Sequence, residues 1–330
     1  MANLKLHGGI VILLAIPTLA AVGATIRNVR YQSEMESLPD HPSKQAGLQQ
    51  IRIQSQGQTQ TYSLYVPSSL NLNQPAPLVM VLHGAGGQGK LYIERNNWKS
   101  EADREGFIVV APDGLPVRIH AAPKFLTNPR VWASGQIKPF TPRGRLDDNR
   151  FLNEVLEQIE HYYFIDKKRV YVCGHSNGSS MTFRFANHSA ARVAAIAMVA
   201  GEMNEERLNP TRDVPTLYFL GDQDPLTLLK GGRRTTPWGT QDVPDIRIGL
   251  SSWARAIHAS PTPVIRTDDN VKTVFDYGPN MTMWLIKGQG HMWPGGTEAG
   301  LPARAVGPSV RTVDATHEFW EFFKAHPMSK

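Results

Sequence analysis

Apolar residues run along this chain in two rhythms, and the change from one to the other predicts the elements. Ile51-Arg52-Ile53-Gln54 and Thr61-Tyr62-Ser63-Leu64-Tyr65-Val66 alternate with period two around Gln56-Gly57-Gln58, which predicts a hairpin at a sheet edge. From Pro77 the run Leu78-Val79-Met80-Val81-Leu82 is continuously apolar, the pattern of a strand covered on both faces. The stretches 107–111, 169–174, 193–200 and 216–220 repeat it, and Val271 to Ile286 contains the last strand. Helical spacing separates them. Phe151, Leu152, Val155, Leu156 and Ile159 share one face of a helix opened by Leu146-Asp147-Asp148-Asn149 and running to about Tyr163. Phe319, Trp320, Phe322 and Phe323 mark a terminal helix within 312–325, a helical stretch spans 98–105, and Met181 to Ala186 suits another. Buried strands alternating with helices predict one mostly parallel, doubly wound α/β sheet from about residue 47 to the C-terminus, with the antiparallel hairpin at its N-terminal side.

Composition narrows the setting. A chain of 330 residues with 41% hydrophobic content can bury a large core, and its formal charge of +6 comes from Lys and Arg scattered along the sequence. No basic helix or aromatic-basic platform accompanies that charge, so nucleic acid is not an expected partner. Lys5, the apolar run Ile10 to Ile16 and the small residues Ala20, Ala21, Gly23 and Ala24 predict an export segment over 1–26, with a secreted or periplasmic destination. A membrane anchor is the rival reading, and the membrane is a partner only through this segment if it is uncleaved; Pro17 interrupts the run and Arg27 and Arg30 follow it. Residues 27–46, polar and carrying Pro39 and Pro42, read as a linker. The one cysteine, Cys173, excludes an internal disulfide and sits where a buried apolar filler is expected.

The chemistry centres on Gly174-His175-Ser176-Asn177-Gly178, a G-x-S-x-G turn between a strand and a helix. Such a turn pushes a serine hydroxyl out of a strained backbone at the end of a parallel sheet, and crowding on both sides demands glycine at its two ends. A serine hydroxyl needs a base to take its proton and a carboxylate to orient that base. Both should follow the serine in the chain and lie at the C-terminal ends of later strands. Gly221-Asp222-Gln223-Asp224-Pro225 and Gly288-Gln289-Gly290-His291-Met292-Trp293 meet that condition. His291 is therefore the expected base. Asp224 is favoured as the acid, because Pro225 fixes the loop after it; Asp222 is the alternative, and one of the two is expected to bond the loop's own backbone. Oxyanion donors are expected from the backbone of Asn177 and from His83-Gly84-Ala85-Gly86-Gly87, with Ala85 and Gly84 the candidates. That glycine-rich turn lacks the Lys-Ser/Thr ending of a phosphate loop. Histidine and acidic residues are not clustered at ligand spacing, so neither metal nor cofactor is expected. The aperiodic, Pro-, Gly- and Arg-rich segment 112–145, with Trp132 inside it, is expected to wall a binding site.

In this order His83-Gly-Ala-Gly-Gly, Trp132-Ala-Ser-Gly, Asp147-Asp148, Gly174-His-Ser-Asn-Gly, Gly221-Asp-Gln-Asp224-Pro and Gly290-His291-Met-Trp-Pro-Gly-Gly resemble the polyhydroxybutyrate depolymerase and feruloyl esterase-like family of α/β-hydrolases. The resemblance covers about residues 50–325. It implies a carboxylic ester hydrolase with the α/β-hydrolase fold, with Ser176, Asp224 and His291 as its triad. It also implies Trp293 and Trp132, with His83, as substrate-binding residues, and a small-molecule or oligomeric ester as substrate. The chain departs from the family in having no paired cysteines and no appended polymer-binding domain. The segment 226–249, with Arg233, Arg234 and Trp238, also departs, so pocket specificity does not carry over. The Arg-rich loops hint at tolerance of a carboxylate near the ester. A serine peptidase or other acyl hydrolase, and a hydrolase-fold binding module without catalysis, are the alternative functions.

Overall fold

The computed structural model describes residues 19–236, 238–297 and 303–329. Most of the expected export segment, residues 1–18, lies outside them. Helix α1 (Leu19–Glu36) runs into the stretch expected as a linker, so that stretch is helical up to Glu36. Arg30 and Glu34 pair one helical turn apart on it, and Met35 is buried against the body. No helix among the described residues is long and apolar enough to cross a membrane.

Strands β1 (Gly47–Ser55) and β2 (Gln58–Val66) form the expected antiparallel hairpin, closed by the Ser55–Gln58 pair. After β3 (Ala76–Leu82), the short helices α2 (Gly89–Arg95) and α3 (Trp98–Glu105) lead to β4 (Ile108–Pro112). Helix α4 (Asp148–Tyr162) is capped by the Asp147 carboxylate, which accepts from the Asn149 N–H, and it precedes β5 (Ile165–His175) and α5 (Asn177–Ser189). Then come β6 (Ala195–Val199), β7 (Thr216–Gly221), a separate two-stranded hairpin β8 (Gly232–Thr236) and β9 (Gly239–Val243), and α6 (Ile246–Ala256). The stretch expected to hold one last strand contains two, β11 (Lys272–Asp276) and β12 (Met281–Ile286), with β10 (Val264–Asp268) added outside them. Helices α7 (Ala303–Val306) and α8 (Ala315–Ala325) follow.

Ten strands form one sheet in the order β1-β2-β4-β3-β5-β6-β7-β12-β11-β10. From β4 to β12 every neighbouring pair is parallel, and antiparallel pairs lie at both ends. The continuously apolar strands are those in the middle, because helices cover both of their faces. Adjacent residues in a strand point to opposite faces, and on β7 Tyr218 faces Phe183 of α5 while Phe219 faces Phe319 of α8. The two helical layers thus lie on opposite sides of the sheet. The fold is that of an α/β-hydrolase with an antiparallel hairpin at the N-terminal side.

The turn after β5 is tightly packed against backbone. A Cβ on Gly178 would lie 2.2 Å from the Leu82 carbonyl oxygen, and one on Gly174 would lie 2.4 Å from that of Gly178. Both clashes are with backbone, which cannot swing aside. Gly178→Ala is expected to lower stability by about 1–3 kcal/mol, as overpacking of a closed core does, read as a fall in the urea midpoint at unchanged slope.

Candidate active site

Ser176 stands between β5 and α5 with φ +54°, ψ −122°, a conformation that an L-residue holds only when its surroundings impose it. Here Ser176 N–H donates to the Val199 carbonyl at 2.8 Å and the glycines on either side are locked in close contact. The strain turns the side chain away from the helix and into a cavity of about 520 Å³ that is lined by Ser176, Asn177, Ala85, Trp132 and His291 together.

Two other strand ends reach the same place. His291 follows β12, its N–H donating to the Val306 carbonyl at 2.6 Å. Its Nδ1 lies 2.8 Å from Asp224 Oδ2, in the loop after β7. A carboxylate can only accept, so Nδ1 carries the proton and Nε2 is left with a free lone pair. The second carboxylate oxygen of Asp224 accepts from the N–H groups of Leu226 and Thr227 at 2.7 and 2.9 Å, which fixes the acid in position. Asp222 has the other task. Its Oδ1 accepts from Gly288 N–H at 2.7 Å and ties the two loops together.

Sequence reasoning named two backbone donors in the loop after β3, and the structure separates them. The N–H of Gly84 donates to the Tyr92 hydroxyl at 2.9 Å and is therefore spent. Ala85 lines the cavity. Asn177 heads α5, so its N–H belongs to the positive end of that helix, where developing negative charge is favoured. The Asn177 side chain has a separate job: its Oδ1 accepts from Trp132 N–H at 2.6 Å, and its Nδ2 donates to the Trp132 carbonyl and the Ser134 hydroxyl. One residue thereby fastens α5 to the cavity wall. Asp148 holds the same wall from below, accepting from Ala133 N–H and from the buried Arg143 guanidinium.

The three expected substrate-binding residues divide differently from the expectation. Trp132 lines the cavity, with its indole N–H donating to the His83 carbonyl at 2.9 Å. Trp293 does not line it. That ring is packed among Trp98, Tyr92, His175 and Phe319, and its N–H donates to Thr316, so it is a core residue joining the His291 loop to α8. His83 is also fully buried away from the cavity: its Nε2 accepts from Gly114 N–H at 2.9 Å, which leaves Nδ1 to donate to the Gly84 carbonyl.

Two residues that sequence reasoning passed over connect these loops. His175, the variable position before the serine, is buried beneath it, and its Nε2 lies 2.6 Å from the His291 carbonyl. Nε2 must donate there, so in a neutral ring Nδ1 accepts, and the Tyr92 hydroxyl donates to it at 2.6 Å. A line of hydrogen bonds thus runs from Gly84 N–H through Tyr92 and His175 to the backbone of His291. Burial, with the nearby His291 ring adding to it, pushes the His175 imidazole down to about 3, and burial pushes His83 down to about 4. The only sign in the sequence was a titratable ring inside a turn otherwise made of small residues.

Comparison with known proteins agrees with this architecture. No model of a known protein family matches the chain. The strand order and the turn after β5 define an α/β-hydrolase, and among solved structures the chain is similar to the acetyl xylan esterase from Aspergillus awamori. That match has 15% identity and a TM-score of 0.57, over 84% of this chain and 99% of the other. It also resembles the native structure of sOPH, at 15% identity and TM-score 0.56, over 89% and 91%. Its relatives by sequence carry esterase names. It is 27% identical to NocK of Nocardia uniformis subsp. tsuyamanensis, a protein assigned as an esterase, over 80% of this chain and 79% of the other. It is 24% identical to feruloyl esterase B of Piromyces equi over 68% of this chain. It is 28% identical to the bifunctional acetylxylan esterase/xylanase XynS20E of Neocallimastix patriciarum over 51%. These last two are longer proteins, and the matches span 41% and 22% of their lengths.

The two lowered histidines set an acid limit. In the unfolded chain they take up protons near their ordinary value of about 6.5, whereas in the fold they resist until about 3 and 4. Between those limits the unfolded state binds more protons, so stability falls as pH falls. The urea midpoint is expected to drop steadily from about pH 6 to pH 4, and His175→Gln is expected to flatten part of that slope.

Proposed function

We propose that the chain is a serine carboxylic ester hydrolase that works through an acyl-enzyme, with Ser176 as nucleophile, His291 as base and Asp224 as the carboxylate that orients it. The observation that carries this reading is the 2.8 Å contact between His291 Nδ1 and Asp224 Oδ2, made at the wall of the cavity into which Ser176 projects. In this mechanism His291 Nε2 takes the serine proton as Oγ attacks the ester carbonyl. Negative charge on the carbonyl oxygen meets the N–H groups of Asn177 and Ala85. His291 then gives the proton to the departing alcohol, and water repeats the two steps on the acyl-enzyme. Asp224 stays ionised throughout and stabilises the imidazolium.

Acetyl and feruloyl esters are the substrate classes favoured by the named activities of the relatives. Soluble hydroxyalkanoate oligoesters follow from the motif resemblance. The apolar run after Lys5 supports export, with a short tether leading to one catalytic domain that starts near residue 47.

Ser176→Ala is expected to cut turnover of p-nitrophenyl acetate by about 10³-fold or more while circular dichroism is unchanged, and a fluorophosphonate probe should label the wild type alone. A variant that kept the wild-type rate would remove Ser176 from the mechanism.

A further inference from the structure

One wall of the cavity is built by the β8–β9 hairpin, in the segment that departs from the family pattern. Arg234, Thr236, Trp238 and Gln241 of this hairpin line the cavity with Ser176 and His291. Two features decide what that wall can bind.

The first is the state of its arginine. Arg234 is nearly buried, and its Nη1 donates to Glu202 Oε1 and to the Leu226 carbonyl, the latter at 2.8 Å. Gln241, with its carbonyl oxygen turned towards the guanidinium, accepts from Nη2 and from Nε at 2.7 Å. Glu202 takes a further hydrogen bond from Gln136 at 3.0 Å. Every nitrogen of Arg234 is thus occupied and its charge is matched inside the wall. Among the described residues lining the cavity it is the only arginine, and no lysine joins it. The guanidinium rivets the hairpin to the loops after β6 and β7 and offers nothing to a substrate carboxylate. The hint of carboxylate tolerance drawn from the Arg-rich loops is therefore not supported.

The second is an aromatic face. Trp238 lies at the hairpin tip with 42% of its surface exposed, against a general tendency of tryptophan to be covered. Its ring meets Phe125 at 5.5 Å and 51°, and its N–H donates to the Phe125 carbonyl at 3.3 Å. Phe125 in turn presses on the oxyanion loop: a Cβ on Gly86, which has φ +76°, would lie 2.4 Å from the Phe125 ring. Val117 and Leu126, 50% and 61% exposed, line the cavity beside Trp238. The indole is thus held in orientation from behind, and its open face belongs to a mouth lined by apolar side chains.

We infer that Trp238 is a specificity-determining residue, forming with Val117 and Leu126 a subsite for a flat apolar group of an uncharged ester. This rests on the serine esterase reading for its position beside the reacting bond, but the subsite itself is a binding claim. A planar ring stacked on the indole displaces water from both faces, whereas an acetyl group has no planar apolar face to offer the contact. A carboxylate placed there would lose its hydration and gain no cation in return.

The test compares wild type, Trp238→Ala and Trp238→Phe on p-nitrophenyl acetate and on naphthoyl and naphthyl esters. The kcat/KM ratio of the better naphthalene-bearing ester to acetate is expected to fall about tenfold in Trp238→Ala, mainly through KM, and to return to within about threefold of wild type in Trp238→Phe. An unchanged ratio, including an equal loss on every ester, would overturn the subsite. In the wild type, an acyl chain ending in a free carboxylate should turn over at least about tenfold more slowly than the same chain ending in a carboxamide; the opposite order would overturn the claim about Arg234. A calorimetric titration of the Ser176→Ala protein with the naphthoyl ester, with and without Trp238→Ala, reads the subsite without turnover. Weaker binding on loss of the indole is expected, and equal binding refutes it. If the wild type cleaved no ester, the hydrolase reading would fall while this titration still decided the subsite.

Discussion

Four parallel strands laid edge to edge, β5, β6, β7 and β12, determine where Ser176, Asp224 and His291 can be. In a parallel ladder all C-terminal ends lie on one side, so loops far apart in sequence leave the sheet as neighbours. Ser176, Asp224 and His291 each follow one of these strands. Asp224 and His291, 67 positions apart in the chain, meet in a hydrogen bond because β7 and β12 are adjacent and in register. The loops then add their own ties, Gln223 N–H to the Gln289 carbonyl and Gly288 N–H to Asp222, which leave the carboxylate and imidazole little freedom.

The buried line from Gly84 through Tyr92 and His175 to His291 adds a second level of organisation. It joins the loop after β3 to the loop that carries His291, by way of the residue next to Ser176. Because both ring nitrogens of His175 are engaged and burial keeps the ring neutral, the line has a fixed donor direction. Such a strut keeps the loops of Ala85 and His291 in register with each other, as the electrostatic preorganisation of the proposed mechanism requires.

Much of this was legible in the sequence, for reasons that are physical. Continuous apolar runs such as 78–82 and 216–220 identified the central strands, since covering both faces leaves no place for alternation. The G-x-S-x-G turn is visible because its crowding tolerates nothing but glycine at two positions. What escaped were elements whose residues answer to partners far away in the chain. β8 and β9 read Gly-Arg-Arg-Thr-Thr and Gly-Thr-Gln-Asp-Val, polar on both faces, and their anchors, Arg234 on Glu202 and Leu226 and Trp238 on Phe125, are visible in the fold alone. Trp293 was misplaced because an aromatic residue two positions from the expected base suits a pocket or a core equally well by spacing. The backbone turn after His291 sends it inward against Trp98 and Phe319. Gly84 could not be told from Ala85 for a related reason: a glycine-rich loop has more N–H groups than a site can use, and the sequence does not say which are already engaged.

Cys173 lies in β5, three residues before the serine, wholly enclosed, and burial pushes its thiol well above its ordinary value. With no second cysteine in the sequence, no disulfide within it has to form or be sorted before the core can close. The polypeptide can therefore acquire its working shape equally well in reducing or oxidising surroundings, and its sulfur stays protonated and shielded from oxidants in either.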